Sequence, residues 1–246
     1  LSAHRYLKER GIESAGAAGF SLGEYSALVD AGVLEPEDVF HAVRERGLIM
    51  ERVSRTLDSP TGPAGMTAVI GMDAEKVDSI LKDAGIREAF VGLSNNPSQT
   101  VVSGTADGLT SAEAALKSAG ARRVIRLKTS GPFHTPLMQP AKDEFSAVLG
   151  SIQFRDPTKR VYSNVTGKQV SSGEEARTLC LDQLVNPVQW TTEMRSLVSD
   201  GYQALLEVGP GSVLAGHWKA LGKSDDLGNV ECVPAGTKEA IDQLDG

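Results

Sequence analysis

Residues 19–23, Gly-Phe-Ser-Leu-Gly, contain a serine whose surroundings could make it a nucleophile. The segment follows an Ala/Gly-rich apolar run and precedes a helical pattern, so it predicts a strand, a sharp turn and a helix. In such a turn the Ser21 hydroxyl stands at the end of the strand in strained geometry, and the flanking glycines avoid clashes. We expect the N–H of Leu22, at the start of the helix, to be an oxyanion donor. The pattern by itself is weak, because 26 of the 246 residues are glycine and a tight turn with an incidental serine is the alternative.

A serine hydroxyl needs a base, and His134 is the best candidate among the four histidines. It lies in a loop rich in glycine and proline, where loops at the end of a sheet gather over an active site. His4, His41 and His217 are predicted to be solvated on helices. No acidic residue stands at a strand end between Ser21 and His134, so either the acid is not recognisable or a neutral group, such as a backbone carbonyl, orients the imidazole.

Arg46 is the third residue with possible chemistry. It lies on a helix predicted from about residue 36 to residue 57, in the segment 44–47, Arg-Glu-Arg-Gly. One interpretation is a solvated charged face, which is usual for Arg/Glu pairs on a helix. The other is that this arginine turns inward and binds a carboxylate through two hydrogen bonds.

The pattern of elements predicts where these residues are held. Strands alternate with helices over most of the chain, which is typical of a mainly parallel sheet flanked by helices. Residues 66–128 instead follow the order β-α-β-β-α-β of a ferredoxin-like domain. The sequence therefore predicts a large α/β domain made of residues 1–65 and 129–246, with a small domain inserted at 66–128. The strands predicted in the large domain are residues 15–19, 161–164, 204–208 and 230–233.

Composition excludes several classes of function. A net charge of -7 without a long basic run argues against a nucleic-acid-binding protein. No apolar run approaches the length that spans a membrane. Two cysteines outside any metal-binding spacing and four scattered histidines argue against a disulfide framework and a metal site, and they favour a reducing compartment.

Together these motifs resemble those of the malonyl-CoA:acyl carrier protein transacylases, the acyltransferases of fatty acid synthesis. The matching segments occur in the family's order over nearly the whole chain, at residues 19–28, 46–47, 95–97, 131–134, 186–190 and 207–211. The family's architecture, a hydrolase-like α/β domain with an inserted ferredoxin-like domain, agrees with the predicted element order. The resemblance implies a cytoplasmic enzyme without a bound cofactor, with malonyl-CoA as substrate and acyl carrier protein as partner.

The resemblance also implies a role for each catalytic group. Ser21 would be the acylated nucleophile of a ping-pong reaction, and His134 would be its general base and acid. The backbone carbonyl of Gln189 would orient the imidazole, which would explain why no acid is recognisable. The N–H of Leu22 would form half of the oxyanion hole.

Three further residues are implied to contact the acyl group. Arg46 would bind the free carboxylate of the malonyl group, and it would discriminate against acetyl because a buried unpaired charge is costly. Phe133 would narrow the pocket and disfavour an α-methyl branch. Asn95 would line the site. For the carrier protein, which is acidic in this family, one face of the strand around residues 122–128 offers Arg122, Arg126 and Lys128.

Two features depart from the family's pattern. The family usually carries histidine immediately before the nucleophile, and Phe20 stands there in this chain. Phe20 makes the site drier, but activity is expected to survive because the base is a different histidine. The family also begins with a strand and a Gly-Gln-Gly loop that completes the oxyanion hole, and these residues contain neither, so upstream sequence is expected.

Three other functions remain open from the sequence. An acyltransferase of a polyketide synthase would use the same residues. A serine esterase or thioesterase would share the nucleophile motif but would have no need of Arg46. A carrier-binding module without catalysis is suggested only by the absent oxyanion loop.

Overall fold

The computed structural model of the chain describes residues 1–244. Its α-helices are α1 (Ser2–Glu9), α2 (Gly23–Asp30), α3 (Pro36–Arg55), α4 (Ala74–Asp83), α5 (Ala106–Ser118), α6 (Gln139–Gly150), α7 (Gly173–Asp182), α8 (Trp190–Ser199), α9 (Val213–Leu221) and α10 (Lys238–Asp242), and a 3-10 turn spans Pro136–Met138. Its strands are β1 (Gly16–Ala17), β2 (Gly65–Ile70), β3 (Ala89–Asn96), β4 (Gln99–Gly104), β5 (Arg123–Arg126), β6 (Arg160–Val161), β7 (Ala204–Glu207) and β8 (Glu231–Pro234). The predicted α/β class is confirmed, with both parallel and antiparallel strand pairs.

The strands outside residues 65–126 form parallel pairs. Strand β1 pairs with β6, and β7 pairs with β8, each in parallel. Within residues 1–244 these are two separate two-stranded ladders and do not form the one mainly parallel sheet that the alternation predicts. The ladder of β1 and β6 is short but tightly packed, since a Cβ on Gly16 would overlap the Tyr202 hydroxyl.

Residues 65–126 form a four-stranded antiparallel sheet in the order β3-β4-β2-β5. Alternating side chains divide between its two faces, as the period of a strand requires. On one face Val69 and Val102 pack with Leu81 and Leu109 of helices α4 and α5. On the other face Met66, Ala68 and Val101 pack against Phe133, in the loop that carries His134.

The sequence pattern sets both helices of this unit. Asp73 caps α4 by accepting a hydrogen bond from the Lys76 N–H at 2.8 Å. Thr105 caps α5 in the same way through the Gly108 N–H. The strand predicted around residues 122–128 is shorter in the structure, because only Arg123–Arg126 pair with β2.

The principal core lies between helices α2, α3, α6 and α7 and includes Tyr25, Leu28, Ile49, Phe145 and Leu149. This packing holds α2 and α3 side by side. Helix α2 begins directly after the turn that contains Ser21, and α3 carries Arg46. No helix in the described part of the chain is long and apolar enough to cross a membrane.

Candidate active site

Ser21 lies in the turn between β1 and α2, and the predicted strand, turn and helix are confirmed. Its φ angle is 49°, in the left-handed region that side chains rarely adopt. The turn is this tight because Gly19 lies against the backbone of Gly23, where a Cβ would overlap carbonyl atoms. The serine is therefore held in strained geometry at the end of a strand.

The structure brings His134 to Ser21 across 113 residues of chain. Ser21 Oγ and His134 Nε2 lie 2.8 Å apart, and His134 Nδ1 lies 2.8 Å from the backbone oxygen of Gln183. A carbonyl only accepts, so Nδ1 carries the proton and Nε2 presents its lone pair to the serine hydroxyl. This is the tautomer that a general base needs.

The surroundings of His134 keep its ring neutral. The residue is 4% exposed, and burial lowers its pKa from 6.5 to about 3. The positive charge of Arg46 lowers the pKa further in the same direction, while the bond to the Gln183 carbonyl opposes this. His134 can therefore accept a proton only when new negative charge develops beside it.

The prediction that the Gln189 carbonyl orients the imidazole is wrong, and Gln183 does so instead. Gln189 precedes α8, and its carbonyl accepts the Glu193 N–H at 2.9 Å, within the first helical turn. Gln183 directly follows α7, where the last carbonyls of a helix have no helical partner. The sequence predicts a helix through residue 184, and the structure ends it at Asp182, which leaves the Gln183 carbonyl available.

Arg46 is buried in the same site. It is 6% exposed, its Nη2 lies 3.5 Å from Ser21 Oγ, and Nη2 donates to Gln183 Oε1 at 2.9 Å. The guanidinium carbon stands 5.7 Å from the centre of the Tyr25 ring. In residues 1–244 its Nε has no hydrogen-bond partner, and no carboxylate lies within ion-pair distance of the guanidinium. The site thus contains a buried cation that lacks an anion.

The Gln183 side chain connects these groups to a buried carboxyl below the nucleophile. Its Nε2 donates to Glu24 and, at 3.1 Å, to the backbone oxygen of Ser21. Glu24 is 1% exposed, and burial raises its pKa to about 7 against the opposing hydrogen bond from Gln183. One glutamine therefore contacts Ser21, His134 and Arg46 at once.

The other predicted site residues, Leu22, Phe133 and Asn95, differ in their contacts and burial. The Leu22 N–H donates to no acceptor in the described residues and lies at the entrance to α2. Phe133 packs against both the principal core and the small sheet beside His134. Asn95 is 4% exposed with an unpartnered Oδ1, and no hydrogen bond joins it to Ser21 or His134 within the described chain. Their roles stay predictions.

Two further histidines differ from the predicted solvated state. His217 is 8% exposed, its Nδ1 lies 3.0 Å from Asn96 Nδ2, and its ring stacks on Phe20 at 6.2 Å. His4 is half-buried and lies 2.7 Å from Asp30. Phe20 also meets the Trp190 ring edge-on at 5.5 Å, so an apolar wall flanks the nucleophile on this side.

Three residues next to the nucleophile were not among the predicted site residues: Gln183, Asn164 and Glu193. Asn164 and Glu193 are fully buried and lie next to the nucleophile turn. A signal existed for Glu193, since an acidic residue within an otherwise apolar helix face is unusual. No local pattern marks Asn164 or Gln183, because the Ser21 groups that they contact lie more than 100 residues away in the chain.

Comparison with known proteins identifies the family. The chain matches the acyl transferase domain family over residues 1–245. It is 37% identical over 219 residues to a malonyl CoA-acyl carrier protein transacylase of Bacillus subtilis (strain 168), with 88% of this chain and 68% of that protein covered. The corresponding protein of Haemophilus influenzae is 40% identical over 205 residues, with 83% and 64% covered. The chain thus spans about two thirds of the length of these relatives.

A solved structure agrees with the sequence relatives. The malonyl-transacylase in a complex with a type II PKS acyl-carrier protein superimposes with a TM-score of 0.88 at 34% identity, covering 97% of this chain and 75% of that one. The fold, the Ser21–His134 pair and the buried arginine therefore occur in a chain that is similar to malonyl CoA-acyl carrier protein transacylases in both sequence and structure. The chain belongs to the acyl transferase domain family and, within it, to the malonyl CoA-acyl carrier protein transacylases.

Proposed function

We propose that this chain transfers a malonyl group from malonyl-CoA to the phosphopantetheine thiol of an acyl carrier protein, for fatty acid synthesis. The names of the curated relatives support this reaction. A related transacylase in complex with an acyl-carrier protein supports the partner. Since each half of the reaction uses the same serine, the mechanism is ping-pong, with a malonyl ester on Ser21 as the intermediate.

The observation that carries the proposal is the unpaired Arg46. A buried guanidinium without an anion is costly, and its donors are arranged in a fork that matches a carboxylate. This fork lies 3.5 Å from the nucleophile oxygen, so the anion that pairs with it is attached to the acyl group that Ser21 attacks. A malonyl group carries such a carboxylate, whereas an acetyl group does not.

The first half-reaction follows from the contacts of Ser21. Its Oγ attacks the thioester carbonyl carbon while its proton moves to His134 Nε2, 2.8 Å away. The carbonyl oxygen becomes an oxyanion, for which the N–H of Leu22 is the nearest free backbone donor in the turn. The oxyanion then collapses, the carbon–sulfur bond breaks, and the sulfur of CoA leaves with the proton from His134.

The second half-reaction repeats these steps with another thiol. The phosphopantetheine thiol gives its proton to His134 Nε2 and attacks the ester carbonyl carbon of malonyl-Ser21. When the oxyanion collapses, the ester bond breaks and Ser21 Oγ recovers the proton from the imidazolium. The Gln183 carbonyl holds Nδ1–H in both halves, so the ring does not rotate between them.

Electrostatics link the choice of substrate to the base. In the free protein the charge of Arg46 helps to lower the pKa of His134 to about 3. A malonyl carboxylate on Arg46 cancels that charge, so the pKa of His134 rises and the ring accepts the serine proton more readily. An acetyl group brings no such charge. Discrimination against acetyl is therefore expected in kcat as well as in binding.

The acyl-enzyme must also resist water. Phe20 and the Trp190 ring form an apolar wall beside Ser21, where a histidine at position 20 would provide hydrogen-bonding groups. We infer that this wall disfavours hydrolysis of the malonyl ester. Phe133, beside His134, and Asn95 are proposed to shape the remainder of the acyl pocket, with Phe133 disfavouring an α-methyl branch.

We further infer that residues 66–128 are an inserted ferredoxin-like domain and that the rest of the chain forms a hydrolase-like domain. The strand order β3-β4-β2-β5 and the packing of α4 and α5 on one face support this division. We propose Arg122 and Lys128 as carrier-protein contacts on this domain. Arg126 pairs with Glu113 at 2.6 Å, so its charge is already partly neutralised.

A carrier protein of polyketide synthesis is the second candidate partner, because the solved complex contains a type II PKS carrier. The unpaired Arg46 disfavours an esterase, because a neutral ester has no carboxylate to pair with the guanidinium beside Ser21. We propose a cytoplasmic location, which the two cysteines support since both carry free thiols.

Intact-protein mass spectrometry tests the proposal. Mixing the protein with malonyl-CoA is expected to add one malonyl group, which acyl carrier protein then removes faster than water does. Ser21→Ala is expected to abolish the gain, whereas Ser79→Ala, an exposed serine on α4, is expected to keep it. Absence of a mass gain in the wild type, or loss to water at the same rate with and without carrier protein, would refute the transferase assignment.

A further inference from the structure

The backbone of Ser21 is strained, and something must hold it. A non-glycine residue at a φ of 49° costs about 1–2 kcal/mol relative to ordinary conformations. Such a conformation persists only where the surrounding structure determines it. The helix that follows contributes, since the Glu24 N–H bonds to the Ser21 carbonyl at 3.2 Å. The Gly23 N–H also bonds to the Phe20 carbonyl, at 2.8 Å. In the N-terminal half of the turn, this leaves the Gly19 carbonyl and the Ser21 N–H to be held by other groups.

Asn164 binds that half of the turn at two points. Its Oδ1 accepts the Ser21 N–H at 2.6 Å, and its Nδ2 donates to the Gly19 carbonyl at 2.6 Å. The Asn164 side chain thus bridges Gly19 and Ser21, the residues on either side of Phe20. Asn164 follows β6, the partner of β1, so the parallel ladder that positions the nucleophile strand also positions this amide. It is fully buried, and water cannot replace it.

Glu193 determines which way the amide of Asn164 faces. Asn164 Nδ2 lies 2.9 Å from Glu193 Oε2, an acceptor in the first turn of α8. With Nδ2 directed at Glu193 and the Gly19 carbonyl, Oδ1 must face the Ser21 N–H. Burial raises the pKa of Glu193 well above its ordinary value, and the nearby charge of Glu24 adds to the rise. A neutral Glu193 serves as an acceptor without placing a charge below the nucleophile.

We propose that Asn164 is the positioning residue for the nucleophile, holding the Ser21 turn in its strained conformation, and that Glu193 orients the Asn164 amide for this task. The inference rests on the proposed function, because Ser21 is its nucleophile. It has a consequence for the oxyanion hole. Since Asn164 occupies the Ser21 N–H, that group is not an oxyanion donor, and the Leu22 N–H takes this role.

The test compares Asn164→Ala with a matched pair at position 193. Glu193→Gln keeps an acceptor for Asn164 Nδ2, whereas Glu193→Leu removes it. In the malonyl-transfer assay Asn164→Ala is expected to lower kcat roughly 100-fold with little change in KM, because a displaced nucleophile loses alignment without losing substrate contacts. Glu193→Leu is expected to lower kcat in the same way, and Glu193→Gln is expected to restore most of the wild-type value.

Thr100→Val is the control for stability. It removes a buried hydrogen bond, from Thr100 Oγ1 to the Met72 carbonyl at 3.1 Å, at a position in β4 that has no hydrogen bond to the turn among the described residues. Melting temperatures are measured for all variants. An Asn164→Ala protein with wild-type kcat would overturn the inference. So would equal losses in Thr100→Val, or equal losses in Glu193→Gln and Glu193→Leu.

A second readout separates this inference from the proposed function. A fluorophosphonate probe reacts with an activated serine whatever the natural substrate is, so its rate of labelling at Ser21 reports nucleophile alignment directly. The rate is expected to fall in Asn164→Ala and Glu193→Leu and to hold in Glu193→Gln. A wild-type protein that is labelled but takes no malonyl group would refute the proposed reaction, and unchanged labelling in Asn164→Ala would refute the positioning role.

Discussion

Replacing Arg46 by alanine separates binding of the acyl carboxylate from the chemistry at Ser21. The arginine is 6% exposed, and its Nε has no partner in the described residues. In the proposed function the malonyl carboxylate supplies the missing anion. Truncating one partner of a buried hydrogen-bonded charge pair costs about 2–5 kcal/mol. Since about 1.4 kcal/mol is a factor of ten, kcat/KM for malonyl-CoA is expected to fall about 30- to 4000-fold.

The same substitution is expected to act in the opposite direction on acetyl-CoA. Acetyl has no carboxylate to lose, and the unpaired charge no longer lowers the pKa of His134. The pKa of His134 therefore rises in Arg46→Ala, and kcat/KM for acetyl-CoA is expected to stay the same or increase. The ratio of kcat/KM for malonyl-CoA to kcat/KM for acetyl-CoA is therefore expected to fall by at least the factor lost for malonyl-CoA alone.

The assay measures malonyl and acetyl transfer to carrier protein for the wild type, Arg46→Ala and Arg44→Ala. Arg44 is the matched control, because it lies on the same helix but is exposed and pairs with Glu45. It is expected to leave both rates unchanged. Equal losses for malonyl-CoA and acetyl-CoA in Arg46→Ala would show that the arginine supports the fold of the site and does not recognise a carboxylate.

Three further predictions concern the same site. Because the folded-state pKa of Glu24 is about 7, above the ordinary 4.5, the folded chain binds more protons between these values, and the free energy of unfolding contributed by Glu24 falls as pH rises through them. Glu24→Gln is therefore expected to gain stability over the wild type by roughly 3 kcal/mol from pH 4.5 to pH 7, measured by urea denaturation, and a constant difference would contradict this. Gly19→Ala is expected to abolish acylation, because its Cβ would overlap the Gly23 backbone; acylation at the wild-type rate by mass spectrometry would contradict the tight turn. Since the pKa of His134 is lowered to about 3, the pH profile of kcat/KM is expected to show no acid limb from His134 between about pH 5 and pH 7, and a limb that persists in Glu24→Gln would count against this.

The position of Arg46 shows how much of the buried face of a helix the spacing of its residues predicts. The buried apolar residues of α3 are Val39, Ala42, Ile49, Met50 and Val53, and Arg46 lies in the same stripe at helical spacing. That spacing is present in the sequence and distinguishes Arg46 from Arg44, which is exposed. An apolar residue type alone does not mark the buried face, since Leu48 on the same helix is 49% exposed. The helix is predictable, but its rotation about its axis depends on what packs against it.

The carbonyl that orients His134 shows a different limit. The resemblance implies that a backbone carbonyl does this work, and the structure contains one, but at Gln183 in place of Gln189. A backbone oxygen has no sequence signature. Whether it is available depends on where a helix ends, and helix ends are the least certain feature of a sequence-based assignment. The resemblance assigned this role to Gln189, and nothing in the residues around Gln183 marked its carbonyl as the correct partner.

The sequence by itself determined the elements whose causes are local. The strand, turn and helix at Ser21, the capped helices α4 and α5, and the β-α-β-β-α-β order follow from glycine positions, capping residues and periodicity between near neighbours. Only the tertiary structure decided which distant groups meet. The contacts of Asn164 with the Ser21 turn, of Glu193 with Asn164 and of Gln183 with Arg46 join residues between 29 and 145 positions apart. Such contacts depend on packing of whole elements and on burial, and neither is set by the residues adjacent in the chain.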